Sequence, residues 1–197
     1  MSLADMKRFD VVMVRQNLVE IPSYPLPAGY RMRSHRQGDG ATWVRIQRFS
    51  QPDRTFTEAK FDDVFGADLP ALRRRGFFLV APDGRDVGTI TAWYDRNYRG
   101  KPWGRIHWLA IVPQHRGKRL SKSMMTVAMN RFRSLGHCRA LLGTQPPRIA
   151  AIKTYLDFGF VPDMNVHGAA RAWRLIREVL PHPALEGLSG RASLEPA

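Results

Sequence analysis

The sequence predicts an α/β (α+β) domain built on a mostly antiparallel sheet, and three observations carry that prediction. Hydrophobic residues make up 44% of the 197 residues, enough for a packed core in one domain or one domain with a small extension. Ile106 to Val112 is an apolar run with β-branched and aromatic members that passes through a basic glycine turn into a helical pattern. Three strand-like runs precede it, two of them joined by Asp83-Gly84, a hairpin turn signal.

Taken in order, Met1 to Glu20 is ambiguous, with Phe9 to Val14 readable as a strand or a helix start. Pro22, Pro25 and Pro27 make Ile21 to Gly29 an extended lead-in. Tyr30 to Arg33 alternates apolar and basic residues and reads as a first strand. Asp39 is placed to cap a helix over Ala41 to Phe49, with Trp43, Ile46 and Phe49 inward. Thr57 to Phe65 and Leu69 to Arg75 form a second helical region interrupted near Gly66. Gly76 to Ala81 and Val87 to Tyr94 are the hairpin strands, and Arg96 to Pro102 reads as a polar loop.

Pro113 ends the strand after Val112, since proline has no N–H for a ladder. Leu120, Met124, Val127, Phe132 and Leu135 then recur at helical spacing, with Gly136 as a C′ cap. Arg139 to Gly143 is a short strand. Thr144 is a candidate cap for a helix that takes Pro146 and Pro147 in its first turn and runs to about Phe158. Phe160 to Pro162 starts a further strand, and Arg171 to Val179 has the composition of a strand that closes the sheet. His182 to Ala197 reads as a loose tail. The domain reading is a lead-in over 1–26, a core domain over 27–180 and a tail over 181–197.

The order strand, basic glycine turn, helix has a physical meaning. A helix N-terminus presents unpaired N–H groups and a partial positive charge. A turn of successive N–H groups ahead of it wraps a phosphate, and glycine lets the main chain approach the anion closely. Arg116, Lys118, Arg119 and Lys122 add full charges, so the turn reads as a pyrophosphate site.

Val-Pro-Gln-His-Arg-Gly-Lys-Arg-Leu, Val112 to Leu120, resembles the acetyl-CoA signature of the GNAT N-acetyltransferase superfamily, Gln/Arg-x-x-Gly-x-Gly/Ala. Gln114 and Gly117 match it; Arg119 departs from it. Ala151 to Phe160 is similar to the family's Asn-x-x-Ala-x-x-x-Tyr-x-x-x-Gly-Phe segment. Ala151, Tyr155, Gly159 and Phe160 match, and Arg148 stands at the Asn position. Pro27 to Arg33 with Gly38-Asp39 resembles a frequent opening of the family. The resemblance implies a GNAT-type mixed, mostly antiparallel, splayed six- to seven-stranded sheet with about four helices packed on both faces. It implies that Gln114, Arg116, Gly117, Lys118, Arg119, Leu120, Ser121 and Arg148 contact acetyl-CoA, used as a cosubstrate without a metal. It further implies that the preceding strand bulges, so that main-chain N–H groups of Leu109, Ala110, Ile111 and Val112 bind the pantetheine arm and polarise the thioester carbonyl.

The implied activity is acyl-CoA-dependent N-acetyl transfer to a primary amine, a small-molecule or peptide acceptor, by direct attack in a ternary complex. Tyr155 matches the family's general acid, and a hydroxyl with pKa near ~10 can donate to a departing thiolate. A neutral amine also needs a proton acceptor. No carboxylate lies on the key strand, so His107, with an ordinary pKa near ~6.5, is the candidate; Asp95, a water relay or no base are the alternatives. Trp93, Trp103 and Trp108 serve either packing or an aromatic acceptor pocket.

Net charge is +14, and its distribution is uneven. Arg96 to Leu156 contains no Asp or Glu and 13 Lys or Arg. That field suits a coenzyme with a pyrophosphate and a 3′-phosphate, and it also suits nucleic acid, the less favoured partner because no RNP-type or zinc-finger pattern accompanies it. A GNAT-fold acyl-CoA sensor without turnover is the other alternative. The single cysteine, Cys138, excludes an internal disulfide and a Cys-cluster zinc site, and reads as a small buried hydrophobe at a strand start. No run approaches the ~20 apolar residues of a membrane span, and Met1 to Arg15 lacks a signal-peptide pattern. A cytoplasmic protein without a membrane partner is expected, and a homodimer is left open.

Overall fold

A computed structural model describes residues 3–6 and 9–186. The chain divides into two compact units, residues 18–140 and residues 1–17 with 141–197. Among the described residues, no helix is long and apolar enough to cross a membrane.

In the larger unit, β2 (Arg31–Ser34), β3 (Gly76–Val80), β4 (Asp86–Tyr98) and β5 (Lys101–Ile111) lie side by side in that order, each antiparallel to the next. The helices of this unit are α1 (Gly40–Ser50), α2 (Glu58–Phe65), α3 (Leu69–Arg75) and α4 (Leu120–Ser134). A 3-10 turn, Gly66–Asp68, separates α2 from α3 where the interruption is predicted. Trp43 and Ile46 of α1 are buried as expected, whereas Phe49 is 54% exposed. Trp43 anchors an edge-to-face cluster with Phe56, Phe61, Phe65 and Trp108, an arrangement that aromatic quadrupoles favour.

Two local expectations fail here for identifiable reasons. Asp39 precedes α1 but makes no side-chain cap. Its carboxylate is held by Arg33 at 2.7 and 2.9 Å and by the Arg36 N–H, while Arg33 also grips Asp86; the charge-assisted fork outcompetes a cap. The stretch from Arg96 to Pro102 is not a loop. β4 and β5 continue through it and join at Arg99-Gly100, with φ of 54° and 74°, the two positive values of a type I′ hairpin.

The smaller unit holds β1 (Val11–Arg15) between β6 (Ala140–Thr144) and β7 (Val161–Pro162), with β1 and β7 antiparallel. It also holds α5 (Ile149–Asp157), α6 (Ala169–Val179) and α7 (Pro183–Glu186). Thr144 belongs to β6 rather than capping α5, and Pro146 and Pro147 lie in the turn before that helix. Arg171 to Val179 is helical, not a closing strand. Its buried residues, Ala169, Ala172, Trp173 and Ile176, follow the i, i+3, i+4, i+7 stripe of an amphipathic helix. Among the described residues the strand total is seven, at the upper end of expectation, and the seven α-helices exceed the four expected. Of the predicted tail, residues 187–197 lie outside the described residues.

Candidate functional site

The centre of interest is the path from β5 to α4. β5 pairs with β4 in one register up to His107, opposite Thr91, and in another from Ala110, opposite Thr89. Trp108 and Leu109 therefore face the single residue Ile90, which is a β-bulge. Trp108 takes φ of 52°, a left-handed backbone costing about 1–3 kcal/mol for a bulky residue. The surroundings hold it there. Buried Gln47 of α1 donates its Nε2 to the Trp108 carbonyl at 3.2 Å, and the indole meets Trp43 and Phe56 edge-on.

The bulge determines which main-chain groups face which way. The Val112 N–H donates to the Val87 carbonyl at 2.9 Å. Antiparallel alternation then directs Ala110 toward β4 as well, and directs Leu109 and Ile111 to the opposite edge. The Ile111 carbonyl receives Arg116 Nε at 3.3 Å, in agreement. Leu109 and Ile111 thus present their N–H groups away from β4, whereas those of Ala110 and Val112 are directed into the sheet.

Beyond Val112 the chain makes a 3-10 turn, Pro113–His115. The N–H groups of His115 and Arg116 close back on Val112 and Pro113, and that of Lys122 on Arg119. Between them, the main-chain N–H groups of Gly117, Lys118, Arg119, Leu120 and Ser121 have no acceptor among the described residues. Gly117 has φ of 79° and open space where a Cβ would stand. Arg119, at the position where the family pattern has a small residue, is itself left-handed with φ of 57° and supplies no side-chain cap to α4. Arg119 therefore carries the steric cost of a left-handed backbone at this position.

The charged side chains divide between two tasks. Arg116 is drawn onto the protein, with Nη2 donating to the Ser50 carbonyl at 2.9 Å. Lys118 donates to the Tyr30 hydroxyl at 3.2 Å, and that hydroxyl is hydrogen-bonded to His115 Nδ1 at 2.7 Å. Gln114 and Arg119 are exposed. The sequence reads Tyr30 as a strand residue within the Pro27 to Arg33 opening; its long-range contact with the turn has no local signal.

His107 is flanked by Phe65 and Trp108. Burial, with Arg105's charge adding to it, lowers its pKa to about 3, because desolvation penalises the imidazolium. The alternative base, Asp95, faces Arg105 at 3.7 Å and accepts the Asn97 N–H. Trp103 is buried, and Trp93 stacks on Tyr94. Cys138 is exposed, which corrects its reading as a buried hydrophobe.

In the smaller unit, Tyr155 sits on α5 with its ring buried and Phe160 edge-on at 6.5 Å. Its hydroxyl has no hydrogen-bond partner among the described residues, yet it is not among the sealed orphan atoms. Burial raises its pKa, against a smaller lowering by Arg148, so the phenol stays protonated. Arg148 stands at the N-cap of α5 without capping it through its side chain.

A bulged strand feeding an uncapped helix through a row of open N–H groups defines an α/β protein with a main-chain anion nest. The acetyltransferase (GNAT) family model matches residues 42–160, and the chain belongs to that family. It is 26% identical over 148 residues to a mycothiol acetyltransferase of Streptomyces coelicolor, covering 73% of this chain and 46% of that protein. To N-acetyltransferase 8B of Rattus norvegicus it is 28% identical over 108 residues, covering 53% and 47%. The chain spans about half the length of the curated relatives it matches. A GCN5-related N-acetyltransferase structure from Sphaerobacter thermophilus superposes with a TM-score of 0.63 at 17% identity, over 78% of this chain and 48% of that one. The fold is that of the GNAT family.

Proposed function

We propose that the protein moves an acetyl group from acetyl-CoA to a primary amine. The amine lone pair adds to the thioester carbonyl carbon. The C–S bond then breaks, the sulfur takes one proton, and the new amide nitrogen releases another. The open N–H groups from Gly117 to Ser121 carry this reading. They suit a pyrophosphate, and the 13 cations of the carboxylate-free window supply the field. Leu109 and Ile111 are the residues assigned to the pantetheine arm, and Tyr155 is assigned to protonate the thiolate.

The base is assigned to solvent. A histidine of pKa about 3 facing an ammonium near ~10.4 is mismatched by about 10 kcal/mol for full proton transfer. His107 therefore serves the acceptor side as a neutral ring. A neutral or acidic amine is preferred to a polycation, which the basic field repels. The name of the Streptomyces relative is the reason to include mycothiol-type amines in the acceptor panel.

Acetyl-CoA at about a hundredfold its Kd should stabilise the protein by about 2.7 kcal/mol, read as a rise in melting temperature. No rise would remove the coenzyme assignment. Thiol release across an amine panel separates an enzyme from an acyl-CoA sensor. Tyr155→Phe should lower kcat by about a hundredfold with acetyl-CoA affinity little changed, and unchanged turnover would remove Tyr155 as the acid.

A further inference from the structure

A cleft lies in the larger unit, beside the C-terminal turn of α4. α4 has 15 residues and is therefore about 22 Å long, which separates this cleft from the nest at the helix's other end. Its volume is about 440 Å3, and its lining includes Asp68, Arg74, Arg75, Tyr94, Arg96 and His137.

Arg75 distinguishes it. The guanidinium is partly buried, and Nη1 donates to the carbonyls of Ala92 and Trp93 at 3.1 and 3.4 Å and contacts His137 Nε2 at 3.1 Å. All three partners are neutral. Nε and Nη2 donate to nothing among the described residues, and neither is sealed from solvent. The contrast is Arg33 in the same unit, which two carboxylates clasp through four hydrogen bonds.

The carboxylates of the cleft are engaged elsewhere. Asp68 accepts the Tyr94 hydroxyl at 2.6 Å and the Ala71 N–H at 3.0 Å, and Asp95 faces Arg105. Arg74 and Arg96 are exposed at the rim, and Arg75 and Arg96 both lie over the Tyr94 ring, at 5.0 and 5.3 Å. Burial, reinforced by Arg74 and Arg131, outweighs the opposing effects of Tyr94 and the Asp68 carboxylate and lowers the pKa of Arg75, as expected of a cation whose counter-charge is incomplete. A guanidinium edge with two parallel N–H donors matches an oxyanion in bidentate geometry, and a cleft of this size admits a small molecule.

We propose that this cleft binds a small ligand bearing a carboxylate or phosphate, seated on the Nε–Nη2 edge of Arg75 and closed at the rim by Arg74 and Arg96. The site is independent of the acetyl-transfer reading, and its occupancy is read without turnover.

The test is a side-chain NMR titration of the intact protein with inorganic phosphate and, separately, acetate, at constant ionic strength against chloride. Saturable shifts at His137 and Tyr94 are expected, with the His137 pKa rising as the bound anion offsets Arg75. The anion that saturates first identifies the head group. Arg75→Gln should weaken binding about tenfold or more, the scale of a lost charge-assisted pair. Arg74→Gln/Arg96→Gln leaves the carbonyl contacts of Arg75 intact and should weaken binding severalfold. Shifts no different from chloride would overturn the proposal. So would wild-type affinity in a folded Arg75→Gln protein or, if that variant does not fold, in the double variant.

Discussion

α2 and α3 differ from α4 in how their first turns are finished. Thr57 accepts the Lys60 N–H at the start of α2, and Asp68 accepts the Ala71 N–H at the start of α3. Each helix thus satisfies part of its orphan donors with its own side chain. α4 is longer and more deeply buried, yet its cap position holds a left-handed arginine and its leading N–H groups stay uncommitted. The difference shows where stability has been maximised and where donors have been kept for an external partner.

The strongest way to break this contrast is Arg119→Asp. A carboxylate there removes one charge, adds the opposite one and offers α4 a cap, and aspartate tolerates the left-handed backbone. Acetyl-CoA affinity should fall by about a hundredfold or more, while unliganded stability stays level or rises by up to about 1 kcal/mol. Melting curves with and without acetyl-CoA measure both. Equal loss of stability and binding would contradict the division of roles.

The aromatic side of β5 makes the next largest prediction. His107 has a folded-state pKa of about 3, below its unfolded value near ~6.5, so the unfolded chain takes up a proton first on acidification. Its contribution to stability is intact above pH ~6.5 and declines at about 1.4 kcal/mol per pH unit down to pH ~3. His35, also lowered chiefly by burial, acts in the same direction. Chemical denaturation between pH 7 and 5 should show this slope, and His107→Asn should flatten it. An unchanged slope would mean that His107 is well solvated.

Thr57→Ala should cost about 1 kcal/mol and leave acetyl-CoA affinity unaltered, since that cap faces only its own helix. Smallest of all, Arg119→Gly should gain roughly 0.5–1 kcal/mol by relieving the positive φ, with coenzyme affinity lowered severalfold by the lost charge. Urea midpoints resolve both changes.

Much of the fold was legible because its signals are local. The run Ile106 to Val112, the turn at Gly117 and the stripe from Leu120 to Phe132 each announce their element. α6 was not, because Ala172-Trp173-Arg174-Leu175-Ile176 has strand-like composition, and the helical stripe appears only when Ala169 is counted with Ala172, Trp173 and Ile176. The Arg99-Gly100 hairpin was hidden by an arginine in a place that usually takes Asn, Asp or Gly. In the site, the basic turn was readable but the tasks of its cations were not. Arg116 and Lys118 are fixed by Ser50 and Tyr30, partners remote in the sequence. The strain at Trp108 depends likewise on Gln47, 61 positions away.

The extra residue in β5 has a consequence for chain length. The Gly104 N–H bonds outward to the Arg139 carbonyl, so even-numbered amides point away from β4 before Trp108 and odd-numbered ones after it. Deleting one residue from the pair opposite Ile90 would let the two strands zip without a break. One of the two successive outward-facing amides, at Trp108 and Leu109, would then be lost, with the composition almost untouched. What this rim offers a visitor is set by counting, so substitutions here should be tolerated far better than a change of one in the tally of residues.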